Sequence, residues 1–148
     1  MNSSRDEQPA PAMRLAELMP RLCRAIMRRE FSCVDEARTT AQQMWALEII
    51  HEQKECPQRL LLSALQLKAS TGTIFVDRLC KMGLAKRAEN PNNRRAILLT
   101  LTRKGENLLA RTMERRGAEA KKLFAALPAA RRREYVAVLE SLLGALKV

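Results

Sequence analysis

Arg94 and Arg95 stand side by side in AENPNNRRAILLTLT, residues 88–102, directly after Asn-Pro-Asn-Asn and before an apolar stretch. Each guanidinium is planar, permanently charged and shaped to grip phosphate oxygens through paired donors. Carried on the tip of a hairpin, such a pair can lie along a narrow, strongly negative minor groove, where arginine is favoured over A·T-rich duplex. Upstream, Lys68, Ala69, Ser70, Thr71, Thr73, Ile74 and Arg78 place an amine, three hydroxyls, an aliphatic branch and a third guanidinium within a short span. Hydroxyls donate or accept toward base edges, and a Thr or Ile methyl can touch a thymine methyl. The set suits recognition of a polyanion, not bond making. The sequence has no GxSxG, HExxH, P-loop or GxGxxG pattern, so no enzyme and no cofactor is expected.

These residues need elements to hold them. The chain has 148 residues, enough for one domain, and is 47% hydrophobic but only 3% aromatic. Its core must therefore be aliphatic, and the abundance of Ala, Leu, Arg, Lys and Glu points to a mainly α protein. Residues 1–12 are polar with two prolines and are expected to form a disordered tail. Over residues 13–30 the apolar positions Leu15, Leu18, Met19, Leu22, Cys23, Ile26 and Met27 recur at helical spacing, with Pro20 expected to kink or restart the helix. Thr39 or Thr40 can cap a second helix whose face carries Met44, Leu47 and Ile50. Pro57 suits the first turn of a short third helix with Leu60, Leu61, Ala64 and Leu65 apolar. A fourth helix carries Ile74, Phe75, Leu79 and Met82 and stops at Gly83. Within it Phe75, Val76, Leu79 and Met82 are expected in the core, and Asp77 with Lys81 forms an i,i+4 pair.

LAKRAEN and RAILLTLT then read as two short strands around the Asn-Pro-Asn-Asn turn. A long helix follows from Arg103 to about residue 126, and Pro128 separates it from a last helix with Tyr135, Val138, Leu139, Leu142 and Leu146 on one side.

The formal net charge is +11, which selects anionic partners. No apolar run reaches the roughly 20 residues of a membrane helix, and the polar beginning has no signal-peptide shape, so a soluble, cytoplasmic protein without a membrane partner is expected. The four cysteines, Cys23, Cys33, Cys56 and Cys80, form no CxxC pair; free thiols packed as small apolar groups are the simplest reading. His51 with Glu52, Glu55 and Cys56 makes a weak metal set, and no metal site is expected.

The order helix, short helix, helix, strand, basic turn, strand is that of a winged helix-turn-helix. Residues 39–109, and most specifically VDRLCKMGLAKR followed by NPNNRRAILLTLTRKG, resemble the MarR (multiple antibiotic resistance regulator) family of bacterial transcription factors. The resemblance implies a winged helix over about 39–102 with a small β-hairpin wing. It is flanked by dimerisation helices at about 13–30 and 103–146, all within one domain spanning 13–148. It implies a homodimer on double-stranded DNA with a pseudo-palindromic operator, acting as a repressor relieved by a ligand. Lys68, Ala69, Ser70, Thr71, Thr73, Ile74, Arg78, Arg87, Asn92, Asn93, Arg94 and Arg95 would contact DNA. Arg59, Lys86, Arg103 and Lys104 are further phosphate partners by charge. Two positions depart from the family pattern. Asn90 and Asn93 replace the usual aspartates, which removes charge assistance from the wing arginines. Lys68 stands where a Ser or Asp cap is usual.

The apolar stripes of 13–30 and 103–146 exceed what a compact winged core can cover, which also favours a two-fold pair. The resemblance further implies a small phenolic or anionic effector in a crevice between the dimer helices and the DNA-binding lobe, where Leu22, Ile26, Met44 and Trp45 are candidates. Cys23 and Cys33 are candidates for oxidant sensing. The alternative functions are a winged-helix module that holds another protein and a redox-sensing regulator.

Overall fold

The computed structural model describes residues 11–31, 39–91 and 93–146. Helix α1 (Pro11–Phe31) leads to α2 (Ala41–Gln53), a two-residue strand β1 (Cys56–Pro57), α3 (Gln58–Ala64), α4 (Ala69–Lys81), β2 (Ala85–Asn90), β3 (Asn93–Leu101), α5 (Arg103–Ala125) and α6 (Ala129–Ala145). The fold is mainly α with a small β wing.

Helix α1 begins at Pro11, inside the stretch expected to be an unfolded tail, and runs through Pro20 without a break. Proline removes one i→i−4 bond, but the rest of the helix is continuous, so the expected kink does not interrupt it. Helix α2 starts in a full capping box. Thr40 Oγ1 accepts from the Gln43 N–H at 3.3 Å, and Gln43 Oε1 accepts from the Thr40 N–H at 2.8 Å. Two orphan donors are satisfied together.

The core lies where α2, α3, α4, the sheet and the first turns of α5 meet. Met44, Leu47 and Ile50 of α2 pack with Leu61, Leu62, Val76, Leu79, Leu99 and Leu109. The sheet order is β1-β3-β2, antiparallel throughout. Cys56 pairs with Leu99 and Pro57 with Leu98, a strand that the sequence reading omits. Helix α3 also turns differently from expectation: Leu61 and Leu62 are buried while Leu60 and Ala64 are exposed. Pro57 is its N-cap and not its first helical residue.

Helices α1, α5 and α6 extend beyond this core. No residue of α6 is buried, and Val136, Val138, Leu142, Leu143 and Leu146 are exposed. Met13, Leu15, Leu18 and Met19 of α1 are exposed as well. An edge-to-face contact between Phe124 and Tyr135, with ring centres 5.7 Å apart, joins α5 to α6. Among the described residues, no helix is long and apolar enough to cross a membrane.

Candidate nucleic-acid interface

Helix α4 is set by its two ends and its buried stripe. Before it, α3 closes with Gln66 in the left-handed region, φ 54°. The Leu67 N–H reaches the Leu62 carbonyl at 2.9 Å and the Gln66 N–H reaches Ser63 at 3.0 Å, the bond pair of a Schellman stop. The same stop closes α4 at Gly83, φ 70°, with Leu84 N–H to Leu79 O at 3.1 Å and Gly83 N–H to Cys80 O at 2.9 Å. Lys68 is the N-cap of α4 and makes no side-chain cap bond.

The inward stripe of α4 is Gly72, Val76 and Leu79. Gly72 lies so close to Leu62 of α3 that a Cβ there would overlap the leucine methyls. Ile74 is not part of this stripe. It is 70% exposed, as its place between Gly72 and Val76 on the opposite side of the helix dictates. Lys68, Ala69, Ser70, Thr71, Thr73 and Arg78 are exposed with it. Thr73 Oγ1 donates to the Ala69 carbonyl at 3.0 Å.

The hairpin of β2 and β3 closes at the pair Asn90↔Asn93, with an irregularity in register at Glu89/Asn90 and Pro91 in the turn. Asn92, and the side chains of Arg94 and Arg95, lie outside what the structure describes; the backbone of both arginines belongs to β3. Arg87 of β2 donates to Asp77 Oδ1 of α4 at 2.5 Å. Asp77 is thus paired across to the wing and not along its own helix to Lys81. Lys104, a candidate phosphate partner, donates to the Met82 carbonyl at 2.8 Å, at the negative end of α4. Lys86, Arg59 and Arg103 remain exposed.

Thr102 fastens the far end of the wing. Its hydroxyl donates to Gly83 O at 2.5 Å and accepts from Gly105 N–H at 3.1 Å, and its own N–H reaches Leu84 O at 3.1 Å. Gly105 sits against the Leu84 carbonyl, where no Cβ fits. Between α3, the start of α4 and β3 opens a cleft of about 660 Å³, bordered by Arg59, Leu62, Ala69, Asn93 and Ile97 among others. Sequence periodicity gives no signal for a cleft between elements distant in the chain.

The residues proposed for an effector crevice separate. Leu22 and Ile26 line a cleft of about 220 Å³ between α1 and α5, with Arg116, Glu119 and Leu123 opposite. Met44 is fully buried in the core, and Trp45 is 43% exposed and not part of that lining. Arg116 pairs with Glu48 of α2 at 2.7 Å, a link between residues 68 apart that the spacing along α5 does not signal. Cys23 is exposed on α1, whereas Cys33 lies outside the described residues. Burial pushes the Cys56 thiol up, and burial raises Cys80 despite the nearby Arg87. His51, Glu52 and Glu55 are exposed while Cys56 is buried, and among the described residues no group of three metal-ligating side chains comes together.

Residues 39–97 match the family model described as MarR family. The similarity to that family covers the winged segment between α2 and β3. No curated protein matches the chain, but solved structures do over nearly its whole length. A MarR family protein from Bacillus stearothermophilus superposes with a TM-score of 0.84 at 20% identity, covering 93% of this chain and 96% of that one. RV1404 from Mycobacterium tuberculosis gives 0.78 at 27% identity, covering 94% and 95%. The transcriptional repressor CouR, solved bound to a 23-mer DNA duplex, gives 0.72 at 22% identity, covering 86% and 91%. In this MarR-family fold α3 and α4 form the helix-turn-helix, and β2 and β3 form the wing.

Proposed function

We propose that the chain is a homodimeric transcriptional regulator of the cytoplasm that binds a pseudo-palindromic duplex. It represses transcription until a small anionic or phenolic compound releases it. The observation that carries this reading is the outward face of α4. Hydroxyls and cations are exposed there, and an ion pair fixes them to a wing whose strand carries Arg94 and Arg95. The net charge of +11 favours a phosphate backbone as partner. The dimer rests on the exposed apolar residues of α1 and α6, which a second copy would cover. Two copies would set two recognition helices about one duplex turn apart. Effector binding rests on the α1/α5 cleft, apolar on its α1 side and bearing Arg116 on the other. This is a binding function, with no catalytic step assigned to any residue.

Selection of bound sites from random duplexes with the purified protein tests the reading. An enriched two-fold symmetric site is expected, with A·T preference beside the half-sites. Arg94→Ala with Arg95→Ala should weaken binding several-fold and flatten that preference. No retained duplex at low salt would favour a protein-holding winged helix.

A further inference from the structure

We infer that the recognition helix identifies its site through C5-methyl groups of pyrimidines, with Ile74 as the specificity-determining residue. The inference rests on the DNA-binding reading above. Three observations lead to it. Ile74 is 70% exposed, although the helix has a complete inward stripe in Gly72, Val76 and Leu79. Its position is the middle of the outward face, one turn after Ser70 and one turn before Arg78. Second, Thr73 commits its hydroxyl proton to the Ala69 carbonyl at 3.0 Å. That threonine therefore offers a base edge its γ-methyl and a weak acceptor, not a donor. Third, α4 has no Asn, Gln or Arg in its first turns, the side chains that make bidentate contacts to purines.

The surroundings of Ile74 define what can sit against it. Lys68, Arg78 and Lys81 are exposed around the same face, and the one carboxylate there, Asp77, is paired with Arg87. A branched aliphatic group ringed by cations and hydroxyls fits a surface with small apolar projections recessed between rows of anions. The floor of the DNA major groove has that form: thymine methyls lie between two lines of phosphates. Cytosine methylated at C5 presents the same group at the same place, so the helix would accept it in place of thymine at that step. Site choice would then respond to cytosine methylation without any change in base pairing.

The test uses the full chain and a duplex enriched from the random pool. Each thymine of a half-site is replaced in turn by deoxyuridine, which removes only the methyl. At one or two positions the affinity should fall about four-fold, the value of one buried methyl-sized group. Ile74→Ala, at an exposed position outside the core, should bind the thymine duplex at the deoxyuridine level and show no further loss there. Ile74→Val should keep part of the discrimination. At the sensitive position a C·G pair should bind more tightly when its cytosine carries a C5-methyl. Equal binding of thymine and deoxyuridine duplexes, or full discrimination retained by Ile74→Ala, overturns the methyl readout. Failure to enrich any duplex brings down the regulator reading itself.

Discussion

Arg87 on the wing strand β2 and Asp77 on the recognition helix α4 are joined by a 2.5 Å ion pair. It connects the two parts of the interface that would enter different grooves. Both side chains are more than a third exposed or close to it, at 33% and 43%, so the pair adds little to folding, about 0.2–1 kcal/mol. Its effect should appear in binding. Asp77→Asn is expected to leave the urea midpoint nearly unchanged and to lower duplex affinity several-fold by releasing the wing. A double-mutant cycle with Arg87→Ala, read in both urea unfolding and DNA titration, separates the two effects.

Gly72→Ala forces a methyl into space held by Leu62. Overpacking of this kind costs about 1–3 kcal/mol. Thermal unfolding should show that loss, and the duplex affinity should fall further than stability alone accounts for, since α4 must tilt away from α3.

Gln66→Gly acts in the opposite sense. Gln66 holds φ 54° at the end of α3, a conformation that side chains resist and glycine does not. The variant should gain up to about 1 kcal/mol in urea unfolding. Gly83→Ala, at φ 70°, should lose a similar amount.

Arg116 and Glu48 tie α5 to α2 at 2.7 Å with the carboxylate side chain 20% exposed. Glu48→Ala should destabilise by about 1–2 kcal/mol, as expected for a partly buried charge-assisted bond. It should also change the ligand concentration needed to release DNA, because Arg116 borders the α1/α5 cleft. A duplex-release titration with an aromatic carboxylate reads this directly.

The thiols predict a dependence on alkaline pH. Cys56 and Cys80 are both raised above the ordinary 9.0, chiefly by burial. The unfolded chain therefore loses these protons first. Their contribution is intact below pH about 9 and declines as pH rises toward the folded-state values. Urea midpoints from pH 7 to 10 should fall less steeply in Cys80→Ala than in the parent.

What the sequence shows plainly is what local chemistry decides. Thr39 or Thr40, Gly83, and the Asn-Pro-Asn-Asn turn each carry a short-range signal; the structure stops α4 at Gly83 as expected and chooses Thr40 as the cap, with Gln43 completing it. The winged helix follows from their order. Leu60, Leu61 and Leu62 are consecutive, so periodicity could not choose which of them faces inward. Strand β1 is two residues long and has no period to detect; β3 recruits it through pairing. Asp77 found its partner ten positions away because the β2 strand folds back across α4, and Lys104 reaches the Met82 carbonyl while remaining exposed. Local spacing cannot rank such partners against an i,i+4 neighbour. Ile74 reads from the sequence both as part of the apolar stripe and as a DNA contact, and the burial of Gly72 and Val76 decides for the outward place.

Thr102 joins three strokes of the chain at one hydroxyl and one amide, with Gly105 pressed on Leu84 beneath it. No slack remains between the long helix α5 and the corner that carries both reading elements. A change in the direction of α5 would therefore carry the recognition helix and the wing with it as one piece, since both hang from the same corner.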